Sequence, residues 1–282
     1  MFACLPYTKD GTTLVSWQKN AIGTAVIPEG VTHIAEDAFA GCERLTAVVI
    51  PPSVTAIGHE AFWGCRSLER VIISDIAAWC RIRFDGELSN PLYPAHNLFL
   101  ADYLSASLGI HLGIPITSLI LPMTVSEVSD CAFAGANCLT SVTLPLSVTR
   151  LGAFAFADCK GLTRLTIPAS VTDVGEGVLA GCEKLSALAL STRLTAISSF
   201  MLRGCAALKQ IVIPPSVSRI GSYAFFGCSA LSALYIPDTV TEIGEDALAR
   251  CTGLAEASLP RHFASHAHTL LEDSTGCAVT VR

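Results

Sequence analysis

The chain has 282 residues, of which 51% are apolar and 15% are charged, and its formal net charge is −6. It carries neither a basic patch nor a polybasic run, so neither nucleic acid nor an anionic membrane surface is expected as a partner. The uncharged stretch from Leu104 to Val125 is long enough to span a bilayer, but glycines and prolines interrupt it and its second half follows the repeat described below. We therefore predict no membrane insertion.

The first 21 residues precede the repeats and are predicted to form an N-terminal cap. Their start, Met1 to Pro6, is too short and too quickly polar for a secretory signal peptide.

Within each of two blocks, a Gly-Cys pair returns every 23 residues and divides the chain into coils. A fixed period of 20–29 residues indicates a solenoid of stacked coils, each too small to fold alone. We assign regular repeats to 22–75 and 116–260. The pairs with both members present are Gly41-Cys42, Gly64-Cys65, Gly181-Cys182, Gly204-Cys205 and Gly227-Cys228.

Each coil reads L-x-x-V-x-I-P-x-S-V-T-x-I-G-x-x-A-F-x-G-C-x-x. The alternation of apolar residues at its start predicts a short strand with Leu162 and Leu165 pointing inward. Pro168 ends this strand because it has no N–H for the ladder. Val174 lies in a second extended stretch, and the Ala-Phe step is predicted to form a helical turn whose Phe fills the interior. Phe39, Phe62, Phe133, Phe156 and Phe225 would then form buried columns.

Cysteine occupies one repeat position in seven coils, and Ala136 occupies it in another. Because alanine replaces cysteine there, a small buried residue is favoured over a disulfide partner. We predict free, buried thiols in this cysteine ladder, which comprises Cys42, Cys65, Cys159, Cys182, Cys205, Cys228 and Cys251. The state of the cysteines outside the ladder stays open: Cys4, Cys80, Cys131, Cys138 and Cys277.

The string I-P-x-S-V-T-x-I-G-x-x-A-F-x-G-C resembles the BspA-like leucine-rich repeat family of bacterial surfaces and some protists. The resemblance covers about 22–75 and 116–260. It implies adhesion or protein recognition, an extracellular or cell-surface location, and no catalytic residues. The predicted fold is an α/β repeat, a right-handed leucine-rich-repeat solenoid with coils of about 23 residues and a parallel β-sheet on one face.

Residues 76–115 interrupt the regular pattern and are predicted to form atypical or inserted coils. The stretch Leu98-Phe99-Leu100, followed by Ala101-Asp102 and Tyr103-Leu104, predicts a small hairpin or a strand with a turn. Trp79, Tyr93, Phe99 and Tyr103 concentrate aromatic side chains in this region. They either pack a bulged coil or contact a ligand from a protruding loop.

Residues 261–282 are predicted to form a C-terminal cap: a helical stretch near His262–Leu271, a turn at 274–276 and a strand at 278–281. His262 and His266 would share a helix face, with His268 nearby, but two ligands do not make a metal site. Nucleotide-binding, serine-hydrolase and zinc-protease motifs do not occur in the sequence. We therefore predict no catalytic residues, no cofactor and no metal.

The outward positions of the first strand lie four and two residues before the repeat proline. They carry more apolar residues than a solvated sheet face needs, which favours a protein contact, although β-propensity alone also accounts for Val and Ile there. We predict a module that binds a protein or peptide through this face; the alternative is a structural spacer that projects other domains. The predicted contact residues are Val49, Arg70, Ile72, Ile120, Arg164, Val212 and Tyr235. The identity of the ligand and the oligomeric state stay open.

Overall fold

The computed structural model describes residues 6–102, 112–266, 270–271 and 277–282. The chain forms two compact units. Unit 1 comprises Met1–Thr117 and Ser129–Cys138, and unit 2 comprises Ser118–Val128 and Leu139–Arg282. The boundaries predicted from the repeat pattern stay predictions about domain organisation.

In its described residues, unit 1 contains two sheets, two short α-helices and a 3₁₀ helix at Glu87–Ser89. Its elements are β1 (Thr13–Leu14), β2 (Gly23–Val26), β3 (His33–Ile34), β4 (Leu45–Ile50), β5 (Ala56–Ile57), β6 (Arg70–Ile73), α1 (Ile76–Trp79), β7 (Arg83–Phe84), α2 (Leu92–Ala95), β8 (Leu98–Leu100) and β9 (Ile114–Pro115). The first sheet has the order β2-β4-β6-β8-β9 and is parallel except for β9. The second sheet, β1-β3-β5-β7, is parallel throughout.

Unit 2 repeats the same two kinds of strand. Its elements are β10 (Ser118–Ile120), β11 (Glu127–Val128), β12 (Ser141–Thr143), β13 (Arg150–Leu151), β14 (Arg164–Thr166), β15 (Asp173–Val174), β16 (Ala187–Ala189), β17 (Ala196–Ile197), β18 (Arg219–Ile220), β19 (Ala233–Tyr235), β20 (Glu242–Ile243), β21 (Glu256–Leu259) and β22 (Ala278–Val281). The first strands pair as β10-β12-β14-β16 and as β19-β21-β22. The second strands pair as β11-β13-β15 and as β17-β18-β20.

Strand pairing in unit 2 follows the sequence period. Ile120 pairs with Thr143, and Thr166 pairs with Ala189, so each partner lies one full period further along the chain. The predicted fold class, a solenoid of short repeated coils with a parallel sheet, is confirmed, and its handedness stays a prediction. One expectation is wrong: residues 208–213 form no strand, so the stretch that holds Val212 is unpaired.

The interior of each coil holds the side chains that the repeat pattern places inward. Leu162, Leu165 and Ile167 are all buried. In unit 1, the rings of Phe39 and Phe62 stack with 4.7 Å between their centroids. Phe133, Phe156 and Phe225 are buried as well. The predicted aromatic filling of the core is therefore confirmed within each unit.

The side of the coil opposite the first strand is built from successive turns, and the predicted helical turn is wrong. Ala61 N–H donates to the carbonyl oxygen of Gly58 at 3.3 Å, and Trp63 N–H donates to that of Glu60 at 2.8 Å. Glu60 has φ of 50° and Gly64 has φ of 74°. A right-handed helix cannot contain such residues, because its φ values are negative.

The cysteine ladder is free and buried, as predicted. Thiols of the ladder donate to backbone carbonyls of the preceding coil, and Cys205 Sγ donates to the oxygen of Leu179 at 3.3 Å. The same bond joins Cys65 to Phe39, Cys182 to Phe156, Cys228 to Leu202 and Cys251 to Phe225. Cys80, Cys131, Cys138 and Cys277 are also free, and Cys4 lies outside the described residues.

The atypical coil of unit 1 is longer than the regular coil before it. Val49 on β4 pairs with Ile72 on β6, and Ile72 pairs in turn with Phe99 on β8, which lies more than one period further along the chain. α1 begins after Asp75, whose carboxylate accepts a hydrogen bond from Ala78 N–H at 3.0 Å. Trp79 is buried and donates its indole N–H to the carbonyl oxygen of Ala132 at 2.8 Å. The burial of Trp79 agrees with the interpretation that the aromatic residues of this region pack a bulged coil.

The other aromatic residues of the atypical coil differ in their exposure. Tyr93 is exposed and Phe99 is half-buried, while Tyr103 lies outside the described residues. The predicted strand at Leu98–Leu100 is confirmed. Ala101 and Asp102, which follow this strand, form no turn, and the rest of the predicted hairpin or turn, residues 103–104, lies outside the described residues.

The C-terminal cap combines a short 3₁₀ helix at Arg261–His266 with β22, which confirms the strand predicted at 278–281. The predicted turn at 274–276 and His268 lie outside the described residues. His262 Nε2 lies 2.8 Å from the carbonyl oxygen of Val240. Among the described residues, no three His, Cys, Asp or Glu side chains gather closely enough to hold a metal ion.

Within the described part of the chain, no helix has both the length and the apolar composition that a bilayer crossing requires.

Candidate recognition surface

The outward face of the first-strand sheets in unit 2 carries four of the predicted contact residues. Ile120 is 65% exposed, Val212 is 81% exposed and Tyr235 is 53% exposed. Arg164 is exposed on β14. Thr143 and Thr166 lie in the same outward row as Ile120 and Val212, so the row mixes hydroxyl and apolar side chains.

A cavity of about 830 Å³ extends over this face from β16, across residues 210–212 and β19, to β21 and β22. It lies where residues 208–213 leave the strand pairing interrupted. We call it the trough; it is lined by Leu188, Gln210, Ile211, Val212, Ala233, Leu234, Tyr235, Glu256, Ala257, Ser258, Ala278 and Thr280. The trough therefore brings together two predicted contact residues, Val212 and Tyr235. No sequence signal indicated the cavity itself, because the unpaired stretch keeps the repeat pattern.

Tyr235 is held in place within the trough by Arg282. The guanidinium carbon of Arg282 lies 3.9 Å from the centre of the tyrosine ring, and its Nη1 donates to the phenolic oxygen. The second nitrogen, Nη2, donates to the carbonyl oxygen of Ile236 at 2.5 Å. A cation over the ring face restrains the aromatic side chain, so the trough has one preorganised wall.

In unit 1 the predicted contact face is partly covered, and the expectation for Ile72 is wrong. Ile72 is 0% exposed, so it cannot contact a partner. Val49, its pairing partner on β4, is half-buried and therefore partly accessible. Arg70 Nη1 donates to the carbonyl oxygen of Leu112 at 3.2 Å, and Gly113 lies against Phe99. Leu112 and Gly113, just before β9, therefore lie beside this end of the sheet, which the alternation along β6 could not predict.

Two further cavities in unit 1 were not predicted. The first, about 400 Å³, is lined by the exposed aromatic residues Trp63 and Tyr93 together with Leu88 and Pro94. The second, about 520 Å³, lies on the second sheet and is lined by His33 and Arg83 among others. The extra length of the atypical coil hides the alignment of Arg83 with the regular coils, so the sequence period did not reveal this cavity.

Parallel sheets whose strands recur with a fixed period over a core of Leu, Ile and Val define a solenoid of the leucine-rich repeat class. The sequence profile of the BspA type leucine rich repeat region matches six copies over residues 16–80, 112–232 and 195–276. The chain belongs to this BspA-type leucine-rich repeat family. Among curated proteins, no sequence matches the chain.

Two solved structures of bacterial proteins are similar to the chain. A leucine-rich repeat protein from Eubacterium ventriosum is 19% identical, with 80% of this chain and 76% of that chain covered and a TM-score of 0.51. A leucine rich cell surface protein from Faecalibacterium prausnitzii is 23% identical, with 89% and 91% covered and a TM-score of 0.35. The likeness to the Eubacterium ventriosum structure supports the repeat fold.

Proposed function

We propose that this protein is a non-catalytic recognition module that binds a protein or peptide through the sheet face of unit 2. The observation that carries the proposal is the trough, where Val212 and Tyr235 present apolar surface to solvent. An extended peptide would lie across the strands and place one apolar side chain between these two residues. Ile120 and Arg164, exposed on the same face, would make peripheral contacts, and Val49 and Arg70 would belong to a lesser contact on unit 1.

The energetics favour apolar burial with a polar rim. Covering a few hundred Å² of apolar surface contributes several kcal/mol at about 25 cal/mol per Å², before the costs of association. Gln210, Ser258 and Thr280 supply side chains at the trough that can form hydrogen bonds with a peptide backbone. Because neither partner of such a contact needs charge, affinity should change little between low and moderate salt.

An extracellular or cell-surface location accompanies this proposal and rests on membership of the BspA-type family. Recognition of another protein at a surface requires no catalytic group, and the absence of enzymatic activity stays part of the proposal. A search across hydrolase and transferase substrates, with every rate at background, would support that part.

The alternative is a structural spacer that projects other domains. The constant register favours it: Lys160 pairs with Glu183 at 2.8 Å, and Arg219 pairs with Glu242 at 3.4 Å, each from one coil to the next. Such regularity suits a rod as well as a binding surface. A spacer needs no trough, however. Substitution of Val212 should therefore weaken peptide binding if the protein is a recognition module and should have no functional effect if it is a spacer.

Selection of peptides from a displayed random library tests the proposal. Peptides enriched on the wild-type protein are titrated against Val212→Asp, Tyr235→Ala and Leu146→Asp by fluorescence anisotropy. Leu146 is 72% exposed and lies off the sheet in the segment between β12 and β13, so its substitution is the matched control. All three changes are at exposed positions and should leave the melting temperature nearly unchanged.

We expect Val212→Asp and Tyr235→Ala each to weaken the selected peptides at least tenfold, and Leu146→Asp to leave them unchanged. Ile120→Asp then measures how far the contact extends along the row. Enriched peptides that bind all variants equally, or the failure to enrich any peptide, would contradict recognition through the trough and leave the spacer as the better account.

A further inference from the structure

The second sheet of unit 1 carries a row of outward side chains without a carboxylate. Thr13, His33, Ala56 and Arg83 are direct partners across β1, β3, β5 and β7. Adjacent strands lie about 4.8 Å apart, so His33 and Arg83 stand on either side of Ala56 with about 10 Å between their backbones. Alanine is the smallest residue that a strand offers besides glycine, and it leaves the space between them open.

This open space is the cavity of about 520 Å³. Its floor continues from Ala56 to Ala35 and Gly58, which line it as well. The Gly58 backbone lies close to the preceding coil, where a Cβ would come within 2.6 Å of Glu36 N. Small residues therefore form the floor, and the charged side chains that line the cavity are His33, Arg83 and Asp85.

The corresponding rows of unit 2 are neutralised by their own residues. Arg150 pairs with Asp173 at 3.1 Å and Arg219 pairs with Glu242 at 3.4 Å, in both cases on the next strand. In unit 1, β7 is the last strand of its sheet, and the residue beside Arg83 on the preceding strand is Ala56. Within the described residues, neither Arg83 nor Asp85 forms an ion pair. The guanidinium thus faces the cavity row without the carboxylate that its counterparts have.

His33 is oriented by a neighbouring hydroxyl group. Thr32 Oγ1 lies 2.8 Å from His33 Nδ1 and 3.2 Å from the carbonyl oxygen of Thr12. The hydroxyl has one hydrogen, so when it donates to Thr12 it accepts from Nδ1–H of the imidazole. Nε2 then holds the proton that the imidazole gains on becoming a cation, and it can donate to an oxyanion.

We propose that this cavity binds a single carboxylate, such as the side chain of Asp or Glu in a peptide, between Arg83 and His33. The guanidinium matches a carboxylate with two parallel N–H donors, and Thr13 adds a hydroxyl at the other end of the row. Asp85 places a negative charge at the same cavity, so dianions such as sulfate should bind more weakly than a monoanion. The site is separate from the trough, and it does not depend on the proposed function.

Nuclear magnetic resonance titration of the whole chain with acetate tests the site, with acetamide as the neutral control of the same shape. The signals observed are the Arg83 side-chain Nε–H and the His33 imidazole C–H groups. We expect acetate to shift both signals saturably, because the bound anion would contact both side chains. Acetamide should shift neither signal.

Variants at exposed positions assign the binding to these residues. Arg83→Gln should weaken acetate at least tenfold, whereas Arg219→Gln, which removes the paired arginine of the equivalent row in unit 2, should have no effect. Asp85→Asn should improve the affinity for sulfate more than that for acetate. Circular dichroism verifies that each variant is folded.

Three results would overturn the proposal. If acetamide shifted the Arg83 and His33 signals as much as acetate does, the cavity would not recognise the negative charge of the ligand. If Arg83→Gln and Arg219→Gln reduced the affinity for acetate equally, acetate would be attracted to arginine side chains in general and not bound at this cavity. Unchanged relative affinity for sulfate in Asp85→Asn would refute the selection for a monoanion.

Discussion

Single residues decide how the corners of each coil are made. The glycine of the Gly-Cys pair adopts positive φ in every regular coil that has it, with 74° at Gly204 and 75° at Gly227. Arg250 occupies the same position with φ of 59°, so a side chain can be accommodated there. The left-handed region costs an ordinary residue roughly 1–2 kcal/mol, and glycine avoids this cost.

Replacement of Gly227 isolates this backbone cost. A Cβ at Gly227 would lie 3.8 Å from its nearest neighbours in the preceding coil, so it meets no steric clash. Gly227→Ala should therefore lower the free energy of unfolding by about 1 kcal/mol through the backbone alone. Gly227→Asn should cost less, because asparagine tolerates positive φ. Urea unfolding with an unchanged m-value measures both; an equal loss for Ala and Asn would show that strain is not the origin.

At the scale of elements, one buried amide joins the atypical coil to the segment 129–138 of unit 1. Asn90 is fully buried, and its Nδ2 donates to the carbonyl oxygen of Cys131 at 2.6 Å. Its Oδ1 accepts from the backbone N–H of Leu92 at 2.9 Å and so fixes the start of α2. Together with the indole of Trp79, this amide replaces the regular ladder contacts that the longer coil cannot make.

Asn90→Asp should destabilise the protein more than Asn90→Ala does. The carboxylate would face a carbonyl oxygen without a donor, at a cost of about 3 kcal/mol or more, whereas alanine leaves backbone groups unpaired for about 1–3 kcal/mol. Burial raises the pKa of such a carboxyl above its unfolded value, so the variant should regain stability as pH falls towards 4. Thermal unfolding at pH 7 and pH 4.5 checks this; an equal loss at both values would contradict it.

The strands and coils also show which contacts can be predicted from the sequence and which cannot. The inward positions of a regular coil, such as Leu165, follow from alternation and period alone, and they are buried. The burial of Ile72 breaks the inward–outward alternation along β6, and no local pattern in the sequence specifies it. The trough at Val212 likewise depends on strand pairing that fails over 208–213. The sequence therefore predicted the contacts that follow the 23-residue period and did not predict those that depart from it.

At the scale of the whole molecule, the buried thiols make stability depend on alkaline pH. Desolvation raises the pKa of Cys65, Cys80 and Cys131 to about 12. It also raises the pKa of Cys182 and Cys205 well above the usual value. Each of these thiols is protonated in the folded protein and ionises in the unfolded chain near pH 9, so their contribution is complete below pH 9 and is lost as pH rises.

The free energy of unfolding should therefore fall by about 1.4 kcal/mol per pH unit for each such thiol between pH 10 and pH 11, where the thiols of the unfolded chain are almost fully ionised. Guanidinium unfolding at closely spaced pH values measures the slope. Cys182→Ala combined with Cys205→Ala should reduce the slope by about 3 kcal/mol per pH unit and lower stability at pH 7. A slope that is the same in this variant would show that other groups govern alkaline unfolding.

The constant separation between hydrogen-bonded residues has a consequence for how such a chain can change its length. Thr241 Oγ1 donates to the carbonyl oxygen of Ser218 across 23 residues, and Ser218 Oγ donates to that of Thr195 across the same interval. If 23 consecutive residues were deleted within a block of regular coils, equivalent positions of two coils would be joined. Every remaining hydrogen-bond donor would then face an equivalent acceptor. Unequal recombination between coils could thus lengthen or shorten the array by whole units, whereas any other deletion would leave a row of donors facing the wrong side chains.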